Sequence, residues 1–190
     1  RSSGKMGFAV AAAARAAGAE VVLISGPVHQ PTPYGVTRLD VETAEEMLRA
    51  TSDAVVDADI FIAAAAVADY RPREASEHKI KKTGEAMDLH LTRAPDILAN
   101  IAATKPRPFV VGFAAETRDL ETNARKKLEA KDLDLIAANL VGPGVGFDCD
   151  DNALLVLWSD GQHQIAPASK RQLAEQLMDF ITTRLPPTKD

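Results

Sequence analysis

The chain has 190 residues, of which 46% are hydrophobic and 26% are charged. This length suits one domain, and the composition excludes an intrinsically disordered chain because it supplies enough apolar residues for a core. The formal net charge of −5 argues against a nucleic-acid-binding protein, since such domains carry a basic excess.

The cysteine count and the apolar runs indicate the cellular compartment of the protein. Cys149 is the only cysteine, so an intrachain disulfide is excluded and a reducing compartment, for which we expect the cytoplasm, is favoured. No apolar run reaches the length of a membrane span, so we expect no membrane partner. The four histidines lack metal-ligand spacing and none neighbours Cys149. Neither a zinc site nor a Cys–His nucleophile is therefore predicted.

The first 41 residues predict one helix followed by two strands. Small and apolar residues favour a helix over Phe8–Ala17, with Gly18 as its C-cap. The β-branched apolar run Glu20–Ser25, closed by a Gly-Pro pair, predicts a buried strand. Val36–Val41 predicts a weaker strand.

The next fifty residues predict a helix, a buried strand and a polar loop. Thr43 and Glu46 have the spacing of a capping box at a helix start. Asp59–Ala68 is a second apolar run and predicts a buried strand. Arg71–Gly84 is charged and predicts a loop, and the alternating Met87–Thr92 predicts a half-exposed strand.

The segment from Pro95 to Asn139 alternates between helix and strand patterns. Pro95 suits the first turn of a short helix. Phe109–Ala114 predicts a buried strand, and Asp119–Lys131 predicts an amphipathic helix. Leu133–Asn139 predicts a further strand.

The last forty residues predict a hairpin and a terminal helix. Ala153–Trp158 and His163–Ile165 flank a turn sequence containing Asp-Gly, which is typical of a β-hairpin. Ser169 and Gln172 form a second capping box, where we expect the final helix to begin.

These elements together predict a doubly wound α/β fold. Strands that alternate with helices and are buried on both faces favour a mostly parallel, Rossmann-like sheet, here with a small antiparallel addition. We expect one domain over residues 1–185 and a polar tail over residues 186–190. Because such a domain normally has a strand before its first helix, we also expect the natural protein to continue upstream. Ligands bind such folds at the carboxyl ends of the strands.

Two segments near predicted strand or helix ends could bind a nucleotide. The glycine-containing segment Ser2–Gly7 leads directly into a helix, whose N-terminus attracts phosphate. It is neither a Walker A loop nor a G-x-G-x-x-G motif, and a simple turn packed against the sheet explains it equally well. The alanines Ala63–Ala66 leave room for a base or ribose, and Asp69 could accept ribose hydroxyls. The alternative is that the alanines pack under a helix and Asp69 caps a turn.

Two groups of lysines could neutralise phosphates. One is the polar segment Lys79–Lys82, and the other is the pair Lys127 and Lys131, which share one helix face. The alternative in both cases is a solvated surface, with the helix lysines paired to acids such as Glu121 or Glu129.

Two other function classes remain open on the residues alone. A nicotinamide-dependent oxidoreductase predicts G-x-G-x-x-G and a Tyr-x-x-x-Lys pair, but Tyr70 is followed by Glu74 and Tyr34 by Arg38 at that spacing. A non-enzymatic nucleotide-sensing or dimerisation module predicts nucleotide binding without chemical turnover.

Six motifs in a fixed order resemble those of bacterial phosphopantothenoylcysteine synthetase. The motifs are SSGKMG (Ser2–Gly7), AAVADYR (Ala65–Arg71), KIKK (Lys79–Lys82), APDIL (Ala94–Leu98), VVGFAAET (Val110–Thr117) and DLIAAN (Asp134–Asn139). In most bacteria this synthetase is the C-terminal half of a bifunctional flavoprotein. The resemblance therefore implies a flavin-binding decarboxylase domain fused upstream and no flavin in this domain.

The resemblance implies a two-step ligase reaction. The carboxylate of 4'-phosphopantothenate attacks the α-phosphate of CTP, with Mg²⁺ present, and gives an acyl-cytidylate and pyrophosphate. The amine of cysteine then displaces CMP and forms an amide. The AAVADYR and KIKK motifs resemble the CTP-using bacterial type more than the ATP-using eukaryotic type.

The resemblance also implies residue roles. The nucleotide contacts the backbone of Ala63, Ala64 and Ala65, Asp69 holds the ribose, and Lys79 is the catalytic residue, in contact with the triphosphate and the acyl-phosphate transition state. The base pocket is shaped by Ala94, Pro95, Asp96, Ile97 and Phe113. The phosphate site is completed by Lys127 and Lys131, and the phosphates or the acyl intermediate are faced by Ser2, Ser3 and Gly4.

The chain departs from the family in two places. Ala94 stands where the family usually has Asn, which removes a side-chain amide there. The family's catalytic asparagine immediately precedes the residue matching Arg1, after a first strand and a Gly-Pro-Thr-Arg loop, and the chain contains none of these. A protein that truly begins at Arg1 is expected to bind nucleotide poorly and turn over little. The family is a homodimer, and we expect Met87–Thr92 and the charged loop before it to contact the partner.

Overall fold

The computed structural model describes residues 2–74, 76, 78–81, 84, 85, 87–142 and 151–186. Arg1, Lys82, Cys149 and tail residues 187–190 lie outside the described residues. None of the described helices is long and apolar enough to cross a membrane. In chain order the elements are α1 (Lys5–Ala16), β1 (Val22–Ser25), β2 (Thr37–Asp40), α2 (Ala44–Ala54), β3 (Ile60–Ala63), β4 (Tyr70–Pro72), β5 (Leu91–Arg93), α3 (Ile97–Ala102), β6 (Phe109–Glu116), α4 (Leu120–Ala130), β7 (Leu135–Leu140), β8 (Asp151–Trp158), β9 (Gly161–Ser169) and α5 (Lys170–Thr182).

The central sheet has five strands in the order β3-β6-β7-β8-β9. Strands β3, β6 and β7 are parallel, whereas β8 and β9 form an antiparallel hairpin at one side. Strands β1 and β2 form a separate parallel pair, and β4 and β5 a separate antiparallel ribbon. The predicted fold class, a mostly parallel α/β sheet with an antiparallel addition, is confirmed.

Helices cover both faces of the central sheet because its middle strands are apolar on both sides. Val111 and Leu135 lie in the core cluster formed with α1 and α5. Their chain neighbours Val110 and Ile136 lie in the opposite cluster, formed with α3 and α4. Successive side chains of a strand point to opposite faces, so these alternating residues bury the strands against both helix layers.

Both predicted capping boxes are present. The Thr43 hydroxyl accepts from the Glu46 N–H at the start of α2, and the Glu46 side chain accepts from the Thr43 N–H. Ser169 and Gln172 form the same pair of contacts at the start of α5. These boxes satisfy backbone donors that have no partner within the helix.

Several predicted element boundaries differ from the structure, and three of them lie near the candidate site. The strand predicted over Asp59–Ala68 ends at Ala63, and residues 65–68 are exposed. Alanine has weak strand propensity, and the described residues place no strand beside this segment. The strand predicted over Met87–Thr92 is Leu91–Arg93, and it pairs with Tyr70–Pro72, whose last two residues were predicted as loop. Pro95 precedes the N-cap of α3 rather than lying in its first turn.

Candidate active site

The segment before α1 exposes a helix N-terminus suited to an anion. Gly4 is the N-cap and has a φ of 76°, in the left-handed region that favours glycine. It has no side chain with which to cap the helix, and the first turn contains no acidic residue. The hydroxyl oxygens of Ser2 and Ser3 accept from the N–H groups of Gly4 and Lys5 at 3.4 and 3.5 Å. The partial positive charge of the helix end therefore has no acidic side chain in its own first turn to neutralise it.

The alanine run lies between this helix and strand β6. A Cβ placed on Gly7 would lie 3.6 Å from the Cβ of Ala64, so the first turns of α1 sit against the end of β3. Ala63, the last residue of β3, pairs with Gly112 on β6, next to Phe113. Ala64 thus packs against a helix, as the alternative interpretation predicted, whereas Ala65 is exposed and accessible to a ligand.

A backbone hydrogen bond joins the ribose-binding candidate to the APDIL segment. The carbonyl oxygen of Asp69 accepts from the N–H of Ala94 at 2.9 Å, at the end of the β4–β5 ribbon. The Asp69 side chain is exposed, and its carboxylate has no hydrogen bond or ion pair with the described residues. The expectation that it caps a turn is therefore not met, and its oxygens are available to hydroxyl donors.

The two helix lysines pair with acids from other elements. Lys127 Nζ lies 2.6 Å from Glu116 Oε1 at the end of β6. Lys131 Nζ lies 2.9 Å from Asp96 Oδ2 at the start of α3. These contacts replace the predicted pairing with Glu121 or Glu129, which would have stayed on α4.

Asp96 combines this ion pair with a structural role. Its Oδ1 accepts from the N–H of Ala99 at 3.1 Å and so caps α3. Burial alone would raise the pKa of Asp96, but the hydrogen bonds from Lys131 and Ala99, together with the lysine charge, outweigh burial and lower that pKa. The carboxylate is thus ionised at neutral pH and holds Lys131 beside the APDIL segment.

A glycine lets α3 approach β6 closely. A Cβ added to Gly112 would lie 2.9 Å from Leu133 Cδ1 and 3.1 Å from Leu98 Cδ2. Both distances are shorter than ordinary carbon contacts of about 3.5–4.0 Å. The absence of a side chain at Gly112 therefore places the APDIL helix directly over the strand that carries Phe113. This role of Gly112 was not predicted from the sequence, although Gly112 lies in the VVGFAAET motif.

Lys79 stands apart from these contacts. It is exposed and forms no hydrogen bond or ion pair within the described part of the chain. The contacts above bring together Ala63, Phe113, Asp69, Ala94 and the two lysine–acid pairs, and the α1 segment lies alongside. The structure of a single chain does not bring Lys79 into this group.

A cavity of about 450 Å³ lies between α2 and the β4–β5 ribbon. It shares Ala94 and Pro95 with the base-pocket candidates. An ion pair between Arg71 and Glu45 joins the ribbon to α2 across it. The sequence analysis missed the charged lining, which consists of Glu45, Arg49, Arg71 and Arg93.

The described residues contain no cluster of three or more His, Cys, Asp or Glu side chains arranged to hold a metal ion. Mg²⁺ bound to a nucleotide takes most of its ligands from phosphates and water, and only one or two from protein carboxylates.

Sequence comparison decides the family. The model of the family described as "DNA/pantothenate metabolism flavoprotein C-terminal domain" matches residues 1–185. This chain belongs to that family. The resemblance predicted from the six motifs is thus confirmed.

Two similar bacterial proteins have the same name. The chain is 52% identical over 184 residues to the coenzyme A biosynthesis bifunctional protein CoaBC of Vibrio cholerae, covering 95% of this chain and 46% of that protein. It is 50% identical over 188 residues to CoaBC of Escherichia coli K12, with 96% and 46% covered. The chain therefore spans about half the length of the curated relatives it matches.

Solved structures share the fold. A crystal structure of the C-terminal domain of CoaBC matches with a TM-score of 0.81 and 34% identity, over 97% of this chain and 84% of that one. A DNA/pantothenate metabolism flavoprotein from Streptococcus pneumoniae matches with a TM-score of 0.80 and 23% identity, covering 95% and 88%. The second likeness bears on the fold alone.

Proposed function

We propose that this chain is a phosphopantothenate–cysteine ligase domain of coenzyme A biosynthesis that activates its acid substrate with CTP. The observation that carries the proposal is the joining of two motifs and helix α4 by two contacts. The backbone oxygen of Asp69 accepts from the N–H of Ala94, and Asp96 of the same segment pairs with Lys131. A free carboxylate, the half-buried residues Ala94 and Pro95 and a cation thus lie along one connected path, which suits ribose, base and phosphate.

In the first step, a carboxylate oxygen of 4'-phosphopantothenate attacks the α-phosphorus of CTP. A phosphorus–oxygen bond forms, the bond to the β-phosphate breaks, and pyrophosphate leaves. In the second step, the amine of cysteine attacks the acyl carbon, loses a proton and expels CMP. The contribution of the protein is positioning and neutralisation of phosphate charge.

The chain supplies groups for each part of CTP. Asp69 accepts hydrogen bonds from the ribose, while Ala63–Ala65 offer backbone groups beside it. Ala94–Ile97 and Phe113 form the base pocket, where main-chain groups distinguish cytosine. Lys127 and Lys131, with Ser2–Gly4 at the N-terminus of α1, bind the phosphates or the acyl intermediate. Mg²⁺ arrives with the triphosphate and neutralises part of its charge.

We further propose that the active unit is a homodimer in which Lys79 serves the partner's site. Lys79 is exposed and has no contact of its own among the described residues. Apolar side chains of the β4–β5 ribbon and of the segment between its strands, which contains Lys79, are also exposed, a pattern typical of interaction surfaces. These side chains are Tyr70, Ile80, Met87, Leu89 and Leu91.

The test is pyrophosphate release in the presence of Mg²⁺ and 4'-phosphopantothenate, comparing CTP with ATP. The assay uses this chain and a version extended at its N-terminus to include a further strand. The extension is chosen because β1 and β3 each have one edge without a strand partner among the described residues. Release that requires both CTP and 4'-phosphopantothenate supports the proposal. CTP binding by a folded dimer without release would favour a nucleotide-sensing module instead.

Lys79→Gln tests the catalytic role. We expect turnover to fall by at least about 100-fold, the usual effect of removing one transition-state charge partner, without a change in melting temperature. Lys126→Gln, which removes an exposed lysine of α4, is the matched control and should leave turnover unchanged. Normal activity of Lys79→Gln would remove Lys79 from the mechanism.

Mixing two inactive variants tests the dimer. If Lys79 reaches the partner's site, mixed dimers of Lys79→Gln and Asp69→Ala chains contain one intact site. Random mixing should then restore about a quarter of the wild-type activity. No recovery from dimers that have demonstrably exchanged would place Lys79 in the site of its own chain.

A further inference from the structure

Glu116 holds Lys127 in a defined position. The carboxylate lies at the end of β6, and its side chain is only 14% exposed. One oxygen accepts from Lys127 Nζ at 2.6 Å, and the other accepts from Asn123 Nδ2 at 3.2 Å. Asn123 also donates to the carbonyl oxygen of Arg118 at 3.1 Å, so the amide that orients Glu116 is itself held.

This ion pair differs from those on the outer faces of the helices. Arg125 and Glu121 pair within α4, where the acid is 52% exposed. Such exposed ion pairs contribute little to stability, because both side chains must be ordered in water. Glu116 instead belongs to a strand and holds the lysine of a neighbouring helix from a mostly buried position.

We propose that Glu116 is a positioning residue that orients Lys127 toward the nucleotide phosphates. The inference rests on the proposed function, which assigns Lys127 to the phosphate site. A lysine side chain has four rotatable carbons, and binding a phosphate with a mobile ammonium requires ordering that stem. A lysine already held by Glu116, which Asn123 orients, loses less freedom when the triphosphate binds, so the ion pair strengthens binding by preorganisation.

Two effects of Glu116 on CTP binding have opposite signs. Positioning of Lys127 favours binding, whereas a carboxylate near the phosphates repels them. The short contact to Lys127 offsets the negative charge of the carboxylate, which is itself mostly buried. Positioning is therefore the larger effect, and removing the charge should weaken binding.

The test is a double-variant cycle measured by steady-state kinetics with CTP. Glu116→Gln keeps the size of the side chain but removes its negative charge, and its single oxygen can accept from only one of Lys127 and Asn123. We expect the KM for CTP to rise about fivefold to tenfold with kcat changed less than about twofold. Lys127→Met should raise the KM further, and adding Glu116→Gln to it should have no additional effect, because the two residues act as one unit.

Glu121→Gln is the matched control, since it removes the same charge from an exposed pair on α4 and should leave the KM unchanged. An unchanged or lower KM for CTP in Glu116→Gln would overturn the inference, as would additive effects in the double variant. These outcomes are separate from failure of the proposed function, in which the wild-type protein itself shows no CTP-dependent pyrophosphate release.

Discussion

Gly112→Ala is predicted to destabilise the fold by crowding the contact between α3 and β6. The added methyl group would lie 2.9 Å from Leu133 Cδ1 and 3.1 Å from Leu98 Cδ2, so both leucines must move. Leu133 is itself buried and packed in the core cluster with α4 and β7. Because protein interiors are close-packed, the buried Leu133 side chain cannot move without displacing a neighbour.

The magnitude follows from two opposing contributions. Overpacking a core by one methyl group costs about 1–3 kcal/mol. Replacing glycine with alanine reduces the conformational entropy of the unfolded chain, which offsets about 0.4–1 kcal/mol of that cost. The net loss is thus on the order of 1–2 kcal/mol, which lowers the melting temperature of a domain of this size by about 2–8 °C.

The assay is thermal unfolding followed by circular dichroism. Gly142→Ala is the control, because a Cβ at Gly142 meets no described atom within 4 Å. Leu133→Val should cost less in the Gly112→Ala background than in the wild type, since it removes the methyl group that is most crowded. A melting temperature of Gly112→Ala equal to or above that of the wild type would refute the crowding argument.

Three further predictions concern the helix ends. Asp132 has a φ of 50° at the end of α4, so Asp132→Gly should stabilise the protein by up to about 1 kcal/mol in urea unfolding. Thr43→Ala removes the capping box with Glu46 and should cost about 1 kcal/mol in the same assay. The pKa of Asp96 is lowered in the folded chain, so its pairing with Lys131 stabilises above pH 3.8, the ordinary aspartate value, and is lost as the pH falls through the folded pKa. Asp96→Asn should therefore have a melting temperature below that of the wild type at neutral pH, and the difference should vanish in strong acid.

Features that depend on neighbouring residues could be predicted from the sequence. The capping boxes at Thr43 and Ser169 are set by residues three positions apart, and the turn between β8 and β9 was predicted from its Ser-Asp-Gly sequence, of which Gly161 already belongs to β9. Burial of the middle strands on both faces could likewise be predicted, because it follows from the pattern of apolar residues within each strand. The errors arise where pairing is distant. Tyr70–Pro72 became a strand only because Leu91–Arg93, some twenty residues later, lies beside it.

In the candidate site, too, features set by nearby residues could be predicted, whereas contacts between distant elements could not. Its motif residues could be proposed from their order in the chain, and Gly112 and Glu116 both lie within a quoted motif. Their contacts could not be proposed, because each depends on how close two elements come. The partner of Lys127 is eleven positions away on a strand, and the partner of Lys131 is thirty-five positions away at a helix start. The spacing of residues along α4 favoured the nearer Glu121 and Glu129 as partners, and neither lysine pairs with them.

The proposed dimer would explain how Lys79 reaches a reacting phosphate. A catalytic lysine must come within hydrogen-bond distance of that phosphate, yet Lys79 is exposed and contacts neither Asp96, Lys127 nor Lys131 among the described residues. Exposed apolar residues lie on the β4–β5 ribbon and in the segment between its strands, which contains Lys79, so this surface also favours association. Dimerisation through this ribbon would bury those residues and deliver the lysine to a second chain. Loss of the dimer should therefore abolish turnover while CTP binding, which uses groups of one chain, is retained in part.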